Sequence, residues 1–195
     1  MATERSLNYP GRMRTRDPEA KRQALLDAAL TEFAAHGISG ARMDQVAKRA
    51  GCSAGLAYTY FKGKDELFDA VYEQIVRHTV SEAPIDAEDL PGYAVRLYDA
   101  NVANPEVMRL INWYRLERGE ATLATPLALE STQHKVDAVR AAQAAGTVSD
   151  RFRAEDLVAL VQHTAMLWFV DDAAAQDRDR VRATIAEAVR RLVTP

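Results

Sequence analysis

One cysteine, Cys52, is all that 195 residues contain. The chain therefore has no internal disulfide to rely on and fits a reducing compartment, so the cytoplasm is its expected location. Apolar runs of membrane length are missing as well. The richest stretch, LVALVQHTAMLWFV, is broken by Gln162, His163 and Thr164, which excludes a spanning helix and membrane partners. No apolar segment follows the arginines of the leading MATERSLNYPGRMRTR, so it does not read as a secretory signal. There is no nucleophile–base pairing, no glycine loop built to cradle phosphate and no cluster with metal-ligand spacing. Glu130 and His134, four apart, share a helix face, but the repeated Glu-x-x-His pairs of a bundle metal site are missing. Neither catalysis, nor a metal, nor a cofactor is expected. Strand-length alternation, internal repeats and low-complexity tracts are also wanting, which leaves an all-α chain.

Charge is present but unevenly spread. Between Pro10 and Lys64 ten basic residues face five acidic ones, a net charge of +5. The whole chain carries −3, so the remainder carries −8. A basic front on an acidic body suits a head that binds a polyanion, although a merely solvated basic face has the same signature. Start and stop signals divide the chain into about nine helices. Asp17-Pro18-Glu19 opens the first, whose stripe of Leu25, Ala29 and Phe33 ends at His36-Gly37. A short helix over Met43–Ala50 turns Met43, Val46 and Ala47 inward and stops at Gly51. Ser53 caps a third to about Phe61, and Gly63 opens a long fourth through about Ser81. The fifth covers Ala87–Val102, its start weakened by Pro91-Gly92. Asn104-Pro105 and Thr125-Pro126 open the sixth and seventh, ending at Gly119 and Gly146. The eighth runs from Ala154 to Asp172 and the ninth from about Asp177 to Leu192.

The stretch GCSAGLAYTYFKGKDELF, residues 51–68, is too apolar for a loop yet has tyrosines, a threonine and lysines where a core helix would have leucines. Two short helices joined by Gly51-Cys52-Ser53 have the spacing of a helix-turn-helix, whose second helix enters the major groove. Phe61, with Leu56 and Ala57, supplies a packing face. Tyr58, Thr59 and Tyr60 then lie near the groove, where hydroxyls bond phosphate and Thr59 meets a thymine methyl. Gly55 leaves room for a phosphate to approach backbone, and Lys64 adds charge at the next helix start. Arg12, Arg14 and Arg16 form either an arm reaching phosphates or a narrow minor groove, or a disordered basic tail. Cys52 reads as a small apolar filler.

The run MDQVAKRAGCSAGLAYTYFKGKDELF, preceded by ALLDAALTEFAAHGISGARM, resembles the TetR family of one-component transcriptional regulators from about Arg14 to Val71. The combination of AxxAG, SxG, YxYF and KxxL is specific as a set. The resemblance implies a DNA-binding head of three helices, a C-terminal helical ligand domain and dimerisation through the last two helices. It places Ser53, Gly55, Tyr58, Thr59, Tyr60 and Lys64 at the DNA, and Arg42 where the family commonly has a phosphate-touching threonine. Ala54 and Leu56 depart from the lysine and the small polar residue common there, which leaves base specificity open. The implied organisation is an arm over 1–16, a helix-turn-helix domain over 17–63, and a ligand-binding and dimerisation domain over 64–195 whose residues 64–81 form the connecting helix.

Past Pro84 the resemblance turns generic and the residues are read by themselves. The eighth helix is apolar almost all round and the ninth has one apolar stripe. Val158, Val161 and Ala165 with Val181, Ile185, Val189 and Leu192 are therefore expected at a four-helix homodimer interface. Tyr93, Tyr98, Met108, Trp113, Tyr114, His134, Trp168 and Phe169 suit an apolar cavity with a few orienting groups, or plain core. The partners expected are a palindromic duplex operator, a small apolar or aromatic effector and a second copy of the chain, in a repressor released by that effector. The competing expectation is an all-α small-molecule-binding protein or enzyme with an incidental basic front.

Overall fold

The computed structural model describes residues 17–118, 125–170 and 177–195. Arg12, Arg14 and Arg16 lie outside them. Nine α-helices and one 3-10 turn are present among the described residues, and no strand. The helices are α1 (Pro18–Gly40), α2 (Met43–Arg49), α3 (Ala54–Tyr60), α4 (Lys64–Glu82), α5 (Leu90–Ala103), α6 (Pro105–Arg118), α7 (Pro126–Ala144), α8 (Ala154–Thr164) and α9 (Arg178–Val193). None of the described helices is long and apolar enough to cross a membrane.

Local chemistry accounts for most of the boundaries. The Asp17 carboxylate accepts from the Glu19 N–H at 3.0 Å with Pro18 in the first turn. Gly37 (φ 71°) breaks the helical path of α1, as the His36-Gly37 stop implies. The start of α5 differs from expectation: it opens at Leu90, not Ala87, because Asp89 caps the Gly92 N–H at 2.8 Å and Pro91 occupies the first turn. Pro91-Gly92 is thus a start signal, not a weakness. The eighth helix also differs, ending at Thr164 and passing into a 3-10 turn over Leu167–Val170. His163 Nδ1 lies 2.8 Å from the Ala159 carbonyl and Thr164 donates to Leu160 O at 2.7 Å. Such back-bonding competes with the helix ladder, and the bulky Trp-Phe-Val run that follows has little helix propensity.

Two cores result. The first joins α1–α4 through Leu25, Phe33, Val46, Ala57, Phe61 and Phe68, and is completed by Leu110 and Tyr114 from α6. The second lies among α5, α7, α8 and α9 around Tyr93, Leu97, Val139, Leu157 and Ile185. Val158, Val161, Ala165, Val181, Ile185 and Val189 belong to that second core, each at most 4% exposed, and Leu192 packs against it. This corrects the expected interface: these stripes seal the chain's own interior, because α5 and α7 already occupy the side that a partner was assigned. The outward side of α8 holds Leu160 and His163 instead.

Candidate nucleic-acid interface

The turn between α2 and α3 is built by backbone bonds. Gly51 takes φ 65°, where a side chain would be strained, and the Cys52 N–H donates to Ala47 O at 2.9 Å. Lys21 reaches across from α1 and donates to the carbonyls of Ala50 and Gly51 at 3.2 and 3.4 Å. Cys52 is half-buried against the head core, a filler as expected. Glu32 was missed by the sequence reading. It is 3% exposed, accepts from the Arg42 backbone N–H at 3.4 Å, and has Arg49 at 3.9 Å. Since α2 has no side-chain cap of its own, this buried carboxylate from α1 satisfies its first donor. The available signal was an acid on the inward stripe between Ala29 and Phe33.

The second helix of the motif is anchored from one side only. Ala57 is fully buried and Phe61 nearly so, with the Arg22 guanidinium 5.5 Å from the Phe61 ring centroid. Leu56 is half-buried. On the other side Tyr58 is 53% exposed and Thr59 is exposed, its hydroxyl donating to Leu56 O at 2.7 Å. Ser53 Oγ accepts from the Leu56 N–H at 3.2 Å, which caps α3. Tyr60 is half-buried against the head core, so only part of its ring faces outward. A Cβ added at Gly55 would meet no atom within 4 Å; the protein itself does not require glycine there. Arg42 is exposed and grips Asp44 bidentately at 3.1 and 2.9 Å. Lys64 donates to Ser39 O at 2.7 Å, which occupies one of its three N–H donors.

Ser39 ties this front to the body. Its N–H and hydroxyl both donate to Glu117 Oε2 of α6, at 2.8 and 2.9 Å. Beside it Gly37 allows α1 and α6 to touch: an added Cβ would lie 2.1 Å from Glu117 Oε1 and 3.0 Å from the Trp113 ring. Trp113, expected in a ligand pocket, is a head–body contact.

Behind the head, α4 to α8 line a half-open cavity of about 910 Å³. Met108 and Tyr114 line it, joined by Tyr72, Ile111, Arg115 and Lys135, which the sequence did not single out. His134 lines an adjoining cavity of about 350 Å³. Tyr93 and Tyr98 are buried in the second core and Trp168 packs against it, while the Phe169 side chain lies outside the described residues. The Tyr93 hydroxyl makes no well-formed hydrogen bond with a described residue; Gln162 is near enough to act on it only weakly. Burial pushes its pKa up to about 12, and Gln162 and Arg96 offset that only in part. The aromatic rings form a chain outward from the cavity. Tyr114 stacks on Phe68 at 5.2 Å, Tyr72 stacks on Phe68 at 6.4 Å, and Phe68 meets Phe33 of α1 edge-on at 5.7 Å.

A half-buried second helix on a three-helix head, set on a helical body with its own cavity, is the architecture of a helix-turn-helix DNA-binding protein. Residues 25–71 match the N-terminal domain of bacterial regulatory proteins of the tetR family, and residues 89–191 match the tetracyclin repressor-like C-terminal domain. The HTH-type transcriptional repressor SCO4008 of Streptomyces coelicolor is 36% identical over 192 residues, spanning 93% of this chain and 99% of its own. The crystal structure of SCO4942, a transcriptional regulator from Streptomyces coelicolor, superposes with a TM-score of 0.77 at 36% identity, covering 89% of this chain and 98% of that one. FadR of Bacillus subtilis, solved with stearoyl-CoA, shares the fold with a TM-score of 0.67 at 14% identity over 86% of this chain and 96% of its own. The chain belongs to the TetR family of DNA-binding transcriptional regulators, a family of regulators and not of enzymes.

Proposed function

We propose that the chain is a repressor that binds a palindromic operator as a homodimer and leaves it when a small, largely apolar molecule fills the cavity among α4–α8. The observation that carries the DNA half is the one-sided anchoring of α3. Phe61 and Ala57 are sealed while Tyr58 and Thr59 stand in solvent, as a helix laid into a major groove requires. Tyr58, Thr59 and the free edge of Tyr60 face the duplex. Ser53, Arg42 and Lys64 take phosphates, Gly55 lets a phosphate close to the backbone, and Arg14 and Arg16 extend the contact from the arm over 1–16. Arg42 must exchange Asp44 for phosphate, which costs little because the pair is exposed. Residues 17–63 serve as the reading head, 64–81 as the connecting helix and 64–195 as the effector and pairing domain.

Release follows from geometry. A dimer reads its operator only when its two recognition helices lie about one duplex turn apart, ~34–36 Å. A molecule pressing on Tyr72 and Tyr114 pushes Phe68, and through it Phe33 and the head, because packed rings transmit displacement. The Glu117–Ser39–Lys64 bonds supply a second link between α6 and the DNA-facing side. Linkage makes the coupling reciprocal: effector and operator weaken each other by the same factor. The test is selection of bound sequences from random duplexes, then a screen of small molecules for release. Affinity that shows no sequence preference, or that no molecule alters, would count against the proposal.

A further inference from the structure

The large cavity is apolar over most of its wall, yet both fixed cations among its described lining come without an acid. Arg115 enters from α6 and Lys135 from α7, and none of the described residues lining it is Asp or Glu. Lys135 Nζ donates to the Ser131 carbonyl at 3.2 Å and to the Ser131 hydroxyl at 2.5 Å, both neutral and one turn earlier on its own helix. It forms no ion pair with a described residue, and burial lowers its pKa, the mark of an ammonium held from water without a counter-charge. Arg115 at the mouth meets only a neutral acceptor among the described residues: His163 Nε2 lies 3.3 Å away. The other nitrogen, Nδ1, faces the Ala159 carbonyl at 2.8 Å and so holds the ring proton. An uncompensated ammonium in an apolar chamber is an unfavourable arrangement for the empty protein, and one that an incoming anion relieves.

We infer that the effector is an amphipathic carboxylate, its apolar body against Ile75, Met108 and Ile111 and its carboxylate on Lys135, with Arg115 adding positive charge at the mouth. One half-buried ammonium matches a monoanion; a dianion would bring a second charge for which the described cavity wall offers no second half-buried cation. The Ser131 hydroxyl, already an acceptor from Lys135, turns its own proton to the same oxygen pair. The inference rests on the cavity being the effector site, and the experiment separates the two. Binding of the neutral dye Nile red to the full chain reports the cavity, and decanoate and decan-1-ol then compete for it. The expected result is displacement by decanoate at least about ten-fold more strongly than by decan-1-ol, with Lys135→Met abolishing that preference and still binding the dye. Equal competition by acid and alcohol, a preference that survives Lys135→Met, or dye that neither compound displaces would overturn the carboxylate assignment and leave the cavity standing. A chain that does not bind the dye at all would overturn both.

Discussion

In the head, Phe33, Phe61 and Phe68 are sealed within a core, whereas in the body Tyr72 and Tyr114 turn part of their surface to a cavity of about 910 Å³. The two regions are not separate objects. Leu110 and Tyr114, on α6 of the body, complete the core of the head, and Gly37, Ser39 and Glu117 stitch the same seam from the other side. The core of the head is thus closed by α6, which also walls the cavity. The coupling proposed above therefore needs no distant pathway, since the element that walls the cavity is also part of the head.

The comparison breaks most directly at Leu110, which is fully buried. Leu110→Ala is expected to cost about 2–5 kcal/mol of stability, read from urea unfolding, and to weaken operator binding although it lies far along the sequence from the motif. Normal operator affinity with lowered stability would show that the head closes without the body. A change confined to the reading face should behave in the opposite way. Tyr58→Ala with Thr59→Ala removes exposed groups, so unfolding should move by less than about 0.5 kcal/mol. Operator affinity, followed by fluorescence anisotropy, should fall by about 1–3 kcal/mol per lost base contact.

The seam itself is sharpened by Gly37→Ala. At φ 71° a Cβ costs roughly 1–2 kcal/mol and would displace Glu117 from Ser39. Thermal unfolding should fall accordingly, and effector-driven release of the operator should weaken. In the body, Tyr93→Phe removes a buried hydroxyl that makes no well-formed hydrogen bond with a described residue, and should stabilise the chain by up to about 1 kcal/mol. Its pH dependence has a definite sign. The folded pKa of about 12 lies above the ordinary phenol value of 10.0, so the unfolded chain ionises first. Stability is full below pH 10 and declines as pH rises from there to 12; Tyr93→Phe should flatten that limb. A small effect on folding is expected at Arg42 as well, whose pair with Asp44 is exposed. Arg42→Ala should leave stability within about 1 kcal/mol while lowering the salt slope of operator binding by about 1.

The head was readable residue by residue because its signals are local. Asp17-Pro18, Gly51, Ser53 and Gly63 mark ends whose bonds form within a few residues, and the inward stripes of α1 and α2 repeat every three or four positions. The body was harder for a physical reason. Burial of an aromatic is plain in the sequence, but whether its neighbours fill the space beside it is not. Tyr93 and Tyr98 went to solid core, Trp113 to the seam with α1, and among the described side chains only Met108 and Tyr114 to the large cavity. Val181, Ile185 and Val189 show the same limit. An apolar stripe announces that it will be covered, not by which surface, and here α5 covers it from within the chain.

By itself, then, the sequence determined the all-α class, most helix ends and the helix-turn-helix, because caps, glycine turns and periodicity act over distances of one or two helical turns. The tertiary structure alone decided the rest. Glu32 became the cap of a helix ten residues away, α6 became a wall of the head, and Lys135 was left without an ion pair to a described residue, facing a mostly apolar cavity. Those outcomes depend on which surfaces meet, and contacts between residues far apart in sequence leave no periodic trace in the chain that makes them.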